Sequence, residues 1–175
     1  MPFVSTMKDV SNIADVYARR PDRFGDWHKI PENLLRGPSE LSREFRQLIS
    51  CYISALNACR YCVGTHQKVA AAFGYSEDLV AQLLEDPDNA AIEANYKPIL
   101  KFLRKLTDTP SRLVQADVDA ILEAGWSEET VSDLVAHGAM WAFINRMAMG
   151  HGLDPLPDTV SQARADAIIK KTEAC

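Results

Sequence analysis

Apolar residues recur at three- and four-residue spacing along most of this chain. The clearest stripe is Leu41, Phe45, Leu48, Ile49, Tyr52, Ile53 and Leu56, the pattern of an amphipathic helix. Pro38 with Ser39 or Ser42 supplies its start, and Glu40 and Glu44 place acids where the helix dipole favours them. Asn57 interrupts the stripe. A second helix is expected to begin at or near Cys59 and to run through Val63, His66, Val69 and Ala70 to Phe73, with Gly74 as a left-handed cap. Further helices are expected over 76–85, 97–107 (Pro98 in the first turn), 116–124, 128–149 and 159–171. The stretches "DPDN", "TDTPS" and "GLDPLPD" between them are turns by their proline and aspartate content. No segment alternates with a period of two, so the expectation is an all-α, single-domain helical bundle of about seven to eight helices. It spans 1–175, with its core region at 40–153 and with 1–35 and 154–175 peripheral. The first 35 residues read as a mixed stretch that wraps the core or a neighbouring subunit.

One layout occurs twice. "GYSEDLV" at 74–80 and "GWSEETV" at 125–131 share glycine, aromatic, serine, two acids and an apolar residue. Glycine closes one helix, the aromatic covers the turn, serine caps the next helix, and the acids face its positive end. A duplicated helical hairpin and two independent uses of good capping chemistry both account for it.

Composition narrows the class. With 47% apolar and 25% charged residues over 175 positions, the chain is an ordinary globular sequence long enough for one real core. A net charge of −5 argues against nucleic acid as a partner. "MPFVSTMKDV" has no apolar run behind a basic start, and no stretch is long enough to span a bilayer, so the expectation is no membrane and a cytoplasmic, reducing location. There a CxxC is catalytic or metal-binding more often than a permanent staple.

That matters because "LNACRYCVGTHQ", 56–67, brings Cys59, Cys62 and His66 together. On one continuous helix their directions fall within about 60° of one another. Three readings compete. Zinc is strained, because the Cα atoms of Cys59 and His66 stand roughly 10 Å apart along a helix and no second CxxC or HxxxH supplies a fourth ligand. A static disulfide is geometrically easy, but it closes a tiny loop and constrains little unfolded-state entropy. A redox pair fits better. The helix N-terminus favours a Cys59 thiolate, His66 one turn beyond Cys62 can accept or return a proton, and the resolving thiol lies three residues away. The histidine favours Cys62 as the attacking thiol, whereas the dipole favours Cys59. No metal and no cofactor is expected.

The stretch "RQLISCYISALNACRYCVGTHQKVAAAFG", 46–74, resembles the core motif of the alkylhydroperoxidase D-like branch of the carboxymuconolactone decarboxylase family. "GWSEETVSDLVAHGAMWAFINRMAMGHGL", 125–153, is similar to the family's downstream helix, with Phe143, Asn145 and Arg146 as its aromatic-Asn-Arg stretch. The resemblance implies an all-α fold, a homo-oligomer (trimer or hexamer), and thiol-dependent reduction of a small hydroperoxide. An external dithiol or reductase would be the electron donor. It carries over Cys59 and Cys62 as the redox pair and His66 as the proton relay. Relatives place a glutamate twelve residues before the first cysteine. Here that position is Gln47, which cannot take a proton at neutral pH. Glu44, about 60° away around the helix, and Tyr61, where some relatives have histidine, complete the supporting set. The alternatives are a non-catalytic redox sensor or oligomeric scaffold, and a non-redox decarboxylase of the family's other branch, which typically lacks the CxxC.

Elsewhere plain readings suffice. Cys51 is expected in the core and Cys175 exposed. His137, Met140, Trp141, Phe143, Met147, Met149 and His151 are read as core and subunit interface, and His28 as a surface or interface residue. Arg146 is expected to pair with a buried carboxylate, with an anionic substrate as its second reading. Lys97, Lys101, Arg104 and Lys105 read as a solvated helix face.

Overall fold

The computed structural model describes residues 2–173, and the described residues are helical with no strand. Seven helices follow the expected pattern closely: α4 (Arg43–Leu56), α5 (Arg60–Ala72), α6 (Leu79–Glu85), α7 (Lys97–Asp108), α8 (Gln115–Glu123), α9 (Glu128–Gly150) and α10 (Asp158–Glu173). The excess over seven or eight lies in the N-terminal stretch. There α1 (Ile13–Ala18), α2 (Pro21–Phe24) and α3 (Lys29–Arg36) are too short to show a helical period in sequence.

Helix α4 is the axis of the packing. It lies against α5, α6, α7 and α9, while α10 runs along α5. The stripe Phe45, Leu48, Ile49, Tyr52 and Ile53 is fully buried and meets Leu83, Leu100, Leu103, Ile121, Leu134 and Trp141. Burying each such side chain is worth about 1.5–3 kcal/mol. The expected polar face of α4 is nevertheless covered as well, because α3 and α9 lie over it: every residue from Phe45 to Ser54 is buried. Buried polar groups need partners. Arg46 Nη1 donates to the carbonyls of Leu34 and Gly37 at 3.0 and 2.9 Å, closing the end of α3. Ser50 Oγ donates to Arg46 O at 2.8 Å.

A second, smaller cluster holds the dithiol. Val10, Val16, Tyr61, Ile144, Ala148 and Leu153 surround Cys59 and Cys62, so the N-terminal stretch folds over the site. The 154–175 segment, expected at the periphery, contributes α10, whose contact with α5 reaches the same region. Cys175 lies outside the described residues.

The two repeats behave differently. Gly74 and Gly125 both adopt left-handed φ, 92° and 95°. Ser127 caps α9 by accepting from Thr130 N at 3.2 Å, and Glu40 bonds Ser127 and Thr130 across the interface. Ser76 makes no such cap, and α6 begins at Leu79. The basic run on α7 also departs from expectation. Arg104 is half-buried, donates to Tyr52 Oη at 3.1 Å and to the carbonyls of Leu83 and Leu84, and so closes the end of α6. Lys101 and Lys105 pair with Asp88 and Asp117.

Candidate functional site

The turn between α4 and α5 aims the thiols. Ala58 N–H donates to Ala55 O and Cys59 N–H to Ser54 O, at 2.9 Å each, the pair of bonds that closes a Schellman turn. The residue forced into the left-handed region is Ala58, with φ of 54°, where glycine is the usual occupant. Cys59 is therefore the N-cap of α5 rather than part of it, with φ −83° and ψ 84°. Its carbonyl accepts from the N–H groups of Cys62 and Val63, at 3.1 Å each.

Both cysteines are free thiols, with their sulfurs 3.2 Å apart. The Cys62 thiol donates to the Cys59 sulfur. That bond, with the backbone N–H groups of Cys62 and Tyr61 and a contact from Asn145, brings the Cys59 thiol down to about 7 against the opposing effect of burial. The Cys62 thiol is pushed up, first by holding that shared proton and then by burial. The two titrate as a pair, which loses its first proton at about pH 7 and keeps the second well above it. Access has the opposite order: Cys59 is fully buried, whereas Cys62 lines a cavity of about 410 Å³. Cys51, expected in the core, is fully buried, and burial pushes its thiol up to about 12.

His66 lines the same cavity one turn beyond Cys62. Its Nδ1 lies 3.2 Å from Gln47 Oε1. A carbonyl oxygen only accepts, so Nδ1 carries the hydrogen and Nε2 keeps its lone pair. Its ring stands edge-on to Trp141, with centroids 5.6 Å apart. Burial, reinforced by the positive charge of Arg164, holds His66 down at about 4, so it is neutral at pH 7. Gln47 is fully buried, and its Nε2 has no hydrogen-bond partner among the described residues.

The remaining candidates separate. Tyr61 lines the cavity, and its hydroxyl accepts from Ile13 N–H at 2.9 Å and from Arg164 Nη1 at 2.8 Å. Glu44 is not among the cavity-lining residues, and its charge acts on Tyr75, Tyr96 and Arg46. Arg146, expected to pair with a buried carboxylate, is exposed and donates to Ala142 O at 3.0 Å, because α9 turns it outward. Asn145, beside it, is fully buried. It accepts from Asn57 Nδ2, donates to Ser54 Oγ, and presents its carbonyl 3.9 Å from the Cys59 sulfur. Asn145 thus ties α9 to the thiol turn, a role that the sequence signalled only as part of the aromatic-Asn-Arg stretch. Among the other lining residues, Trp27 and Arg164 carried no sequence signal, and His28 was read only as a surface or interface residue. Trp27 and His28 lie in the turn between α2 and α3, and Arg164 lies on α10, where no motif flags them. Among the described residues, no three His, Cys, Asp or Glu side chains converge as a metal site.

Comparison with known proteins bears on the fold. The sequence model of the carboxymuconolactone decarboxylase family matches residues 21–91, which include the CxxC and His66. Among solved structures, a peroxidase-related protein from Ralstonia eutropha JMP134 with an alkylhydroperoxidase AhpD core is 26% identical. It covers 85% of this chain and 78% of its own, with a TM-score of 0.74. A peroxidase-related protein from Silicibacter sp. TM1040 is 21% identical over 87% of this chain and 81% of its own, with a TM-score of 0.76. The debrominase Bmp8, solved in complex with 2,3,4-tribromopyrrole, is 15% identical over 96% of both chains, with a TM-score of 0.68. No curated protein sequence matches the chain. The chain therefore has the all-α fold of the solved protein with an alkylhydroperoxidase AhpD core, and its residues 21–91 match the carboxymuconolactone decarboxylase family, the resemblance that the CxxCxxxH motif implied. Among the described residues, no helix is long and apolar enough to cross a membrane.

Proposed function

We propose that the protein is a thiol peroxidase that reduces organic hydroperoxides with the Cys59–Cys62 pair. Fold alone does not choose the chemistry, since the same fold serves a debrominase. The observation that carries the reading is the pair itself: two free cysteines with sulfurs 3.2 Å apart, one of them lining a cavity.

The reaction begins when the shared proton moves to Cys59 and leaves a Cys62 thiolate facing the cavity. That thiolate attacks the distal peroxide oxygen, the O–O bond breaks, and Cys62 becomes a sulfenic acid. The departing alkoxide takes the Cys59 proton and leaves as the alcohol. The Cys59 thiolate then attacks the Cys62 sulfur, forming the disulfide and expelling hydroxide, which is protonated from solvent by way of His66. Two thiol sulfurs are oxidised and one hydroperoxide is reduced to alcohol and water. An external dithiol restores the pair by exchange. Assembly into a homo-oligomer and a cytoplasmic setting belong to the same reading.

The test is a thiol count before and after one equivalent of cumene hydroperoxide, with mass spectrometry of the peptides. Rapid loss of two thiols, mapped to Cys59 and Cys62, is expected. Retention of both moves the protein to a structural role or to non-redox chemistry.

A further inference from the structure

The cavity over Cys62 contains a charge, on Arg164, that touches neither thiol and takes part in no bond-making step of the peroxidase chemistry. Its walls are apolar, with Trp27, Leu35, Ile144 and Ile168 among them, and its 410 Å³ falls in the range of small-molecule sites, about 300–1,000 Å³. Arg164 projects into it from α10 and is half-buried. Arginine on an apolar wall ordinarily has a carboxylate partner. Arg36, also on this wall, has one, Glu32 at 2.5 Å. Arg164 has none among the described residues. Its one hydrogen bond there is from Nη1 to the Tyr61 hydroxyl, and its guanidinium stands 5.9 Å from the Tyr61 ring centroid.

The Tyr61 hydroxyl extends the argument. It accepts from Arg164 and from Ile13 N–H, which uses both of its lone pairs. Its own proton is therefore left to donate, and no acceptor for it is found among the described residues. A guanidinium with free N–H groups beside a hydroxyl with a free proton is a receptor for a planar anion with two acceptor oxygens. Lys171, exposed and also lining the cavity, leaves the lining with an excess of positive charge over Glu32.

From this arrangement we infer that Arg164 and Tyr61 form a carboxylate-binding subsite, and that the substrate is an organic hydroperoxide whose apolar body carries a carboxylate. The carboxylate sits on Arg164 and Tyr61, the apolar body lies against Trp27 and Ile144, and the peroxide reaches Cys62. This rests on the peroxidase reading for the reacting group, but not for the anion. The position of Arg164 has a second consequence: its charge also favours the Cys62 thiolate and disfavours protonation of His66.

The test compares a hydroperoxy-octanoic acid with its methyl ester, in the parent protein and in Arg164→Gln, Arg164→Lys and Tyr61→Phe. The readout is the acid-to-ester ratio of kcat/KM within each protein. Because the ratio is internal, it cancels any change in thiol reactivity caused by losing the nearby charge. Expected is a preference for the acid of about ten- to a hundredfold in the parent, from one charge-assisted contact. It should fall to near unity in Arg164→Gln, drop severalfold in Tyr61→Phe, and be partly retained in Arg164→Lys. In parallel, plain octanoate and octanol are titrated calorimetrically into the reduced protein. Octanoate binding that is lost in Arg164→Gln, with no hydroperoxide turned over, supports the subsite and ends the peroxidase reading. Turnover of acid and ester at equal rates, with no octanoate binding, overturns the subsite and leaves the peroxidase reading standing.

Discussion

Replacing Gln47 by glutamate puts a carboxylate where an amide now lies 3.2 Å from His66 Nδ1. An opposite charge at that range raises an imidazole pKa by about 1–3 units. His66 starts at about 4, so in Gln47→Glu it should titrate between about 5 and 7. The imidazolium fraction at pH 7 then rises from about 0.1% to between about 1% and one half. That form can hand a proton to departing hydroxide, which neutral His66 does poorly. Turnover with cumene hydroperoxide and a dithiol should rise at least about tenfold near pH 6–7. The gain has a stability cost, because position 47 is fully buried. Part of the carboxylate's desolvation is offset by the new pair, which leaves a loss on the order of 1–3 kcal/mol. The assay is kcat/KM from pH 5 to 9, read beside the His66 titration by NMR. If the NMR midpoint climbs while the rate profile overlays that of the parent, His66 does not carry the proton and the relay is refuted. If the midpoint stays at about 4, the Gln47 contact does not tune His66 at all.

Three further expectations follow from the same geometry. In Cys59→Ser, one equivalent of hydroperoxide should stop at a sulfenic acid on Cys62, trapped by dimedone and located by mass spectrometry, whereas Cys62→Ser should give none. A sulfenic acid on Cys59 in the second variant would reverse the order of attack. His66 and His137 are both held near 4 by burial, while in the unfolded chain they titrate near 6.5. The unfolded state therefore binds more protons between those values. Stability should be level above about pH 6.5 and fall as pH drops toward 4, by up to about 3 kcal/mol per histidine. Urea melts at pH 7, 5.5 and 4.5 measure this, and an unchanged slope in His137→Gln would remove His137 from the account. Ala58→Gly should stabilise the protein by about 0.5–1 kcal/mol. Relief of left-handed strain outweighs the added freedom of the unfolded chain, and a lower midpoint in urea would contradict it.

How much of this could be read from the sequence follows from how far apart the cooperating residues lie. Helices α4 to α10 were legible because each announces itself within a few turns, by a stripe, a cap or a proline. The N-terminal helices were not, since four to eight residues show no period. The dithiol was legible because its members are three residues apart and one turn places them together. Its attacking member was not. Proximity of His66 pointed to Cys62 and the dipole to Cys59, and the structure assigns the two features to different sulfurs: low pKa to Cys59, access to Cys62. The groups that shape the protonation of the thiols and of His66 come from other helices. Gln47 lies on the preceding helix, Asn145 arrives on α9, and Arg164 on α10, more than a hundred residues after Cys59. Charge acts through space at a few ångströms, and in a helical bundle such neighbours are set by packing rather than by spacing. A local motif can therefore bring two thiols together, while the charges and hydrogen bonds that shape their protonation come from residues that the motif does not contain.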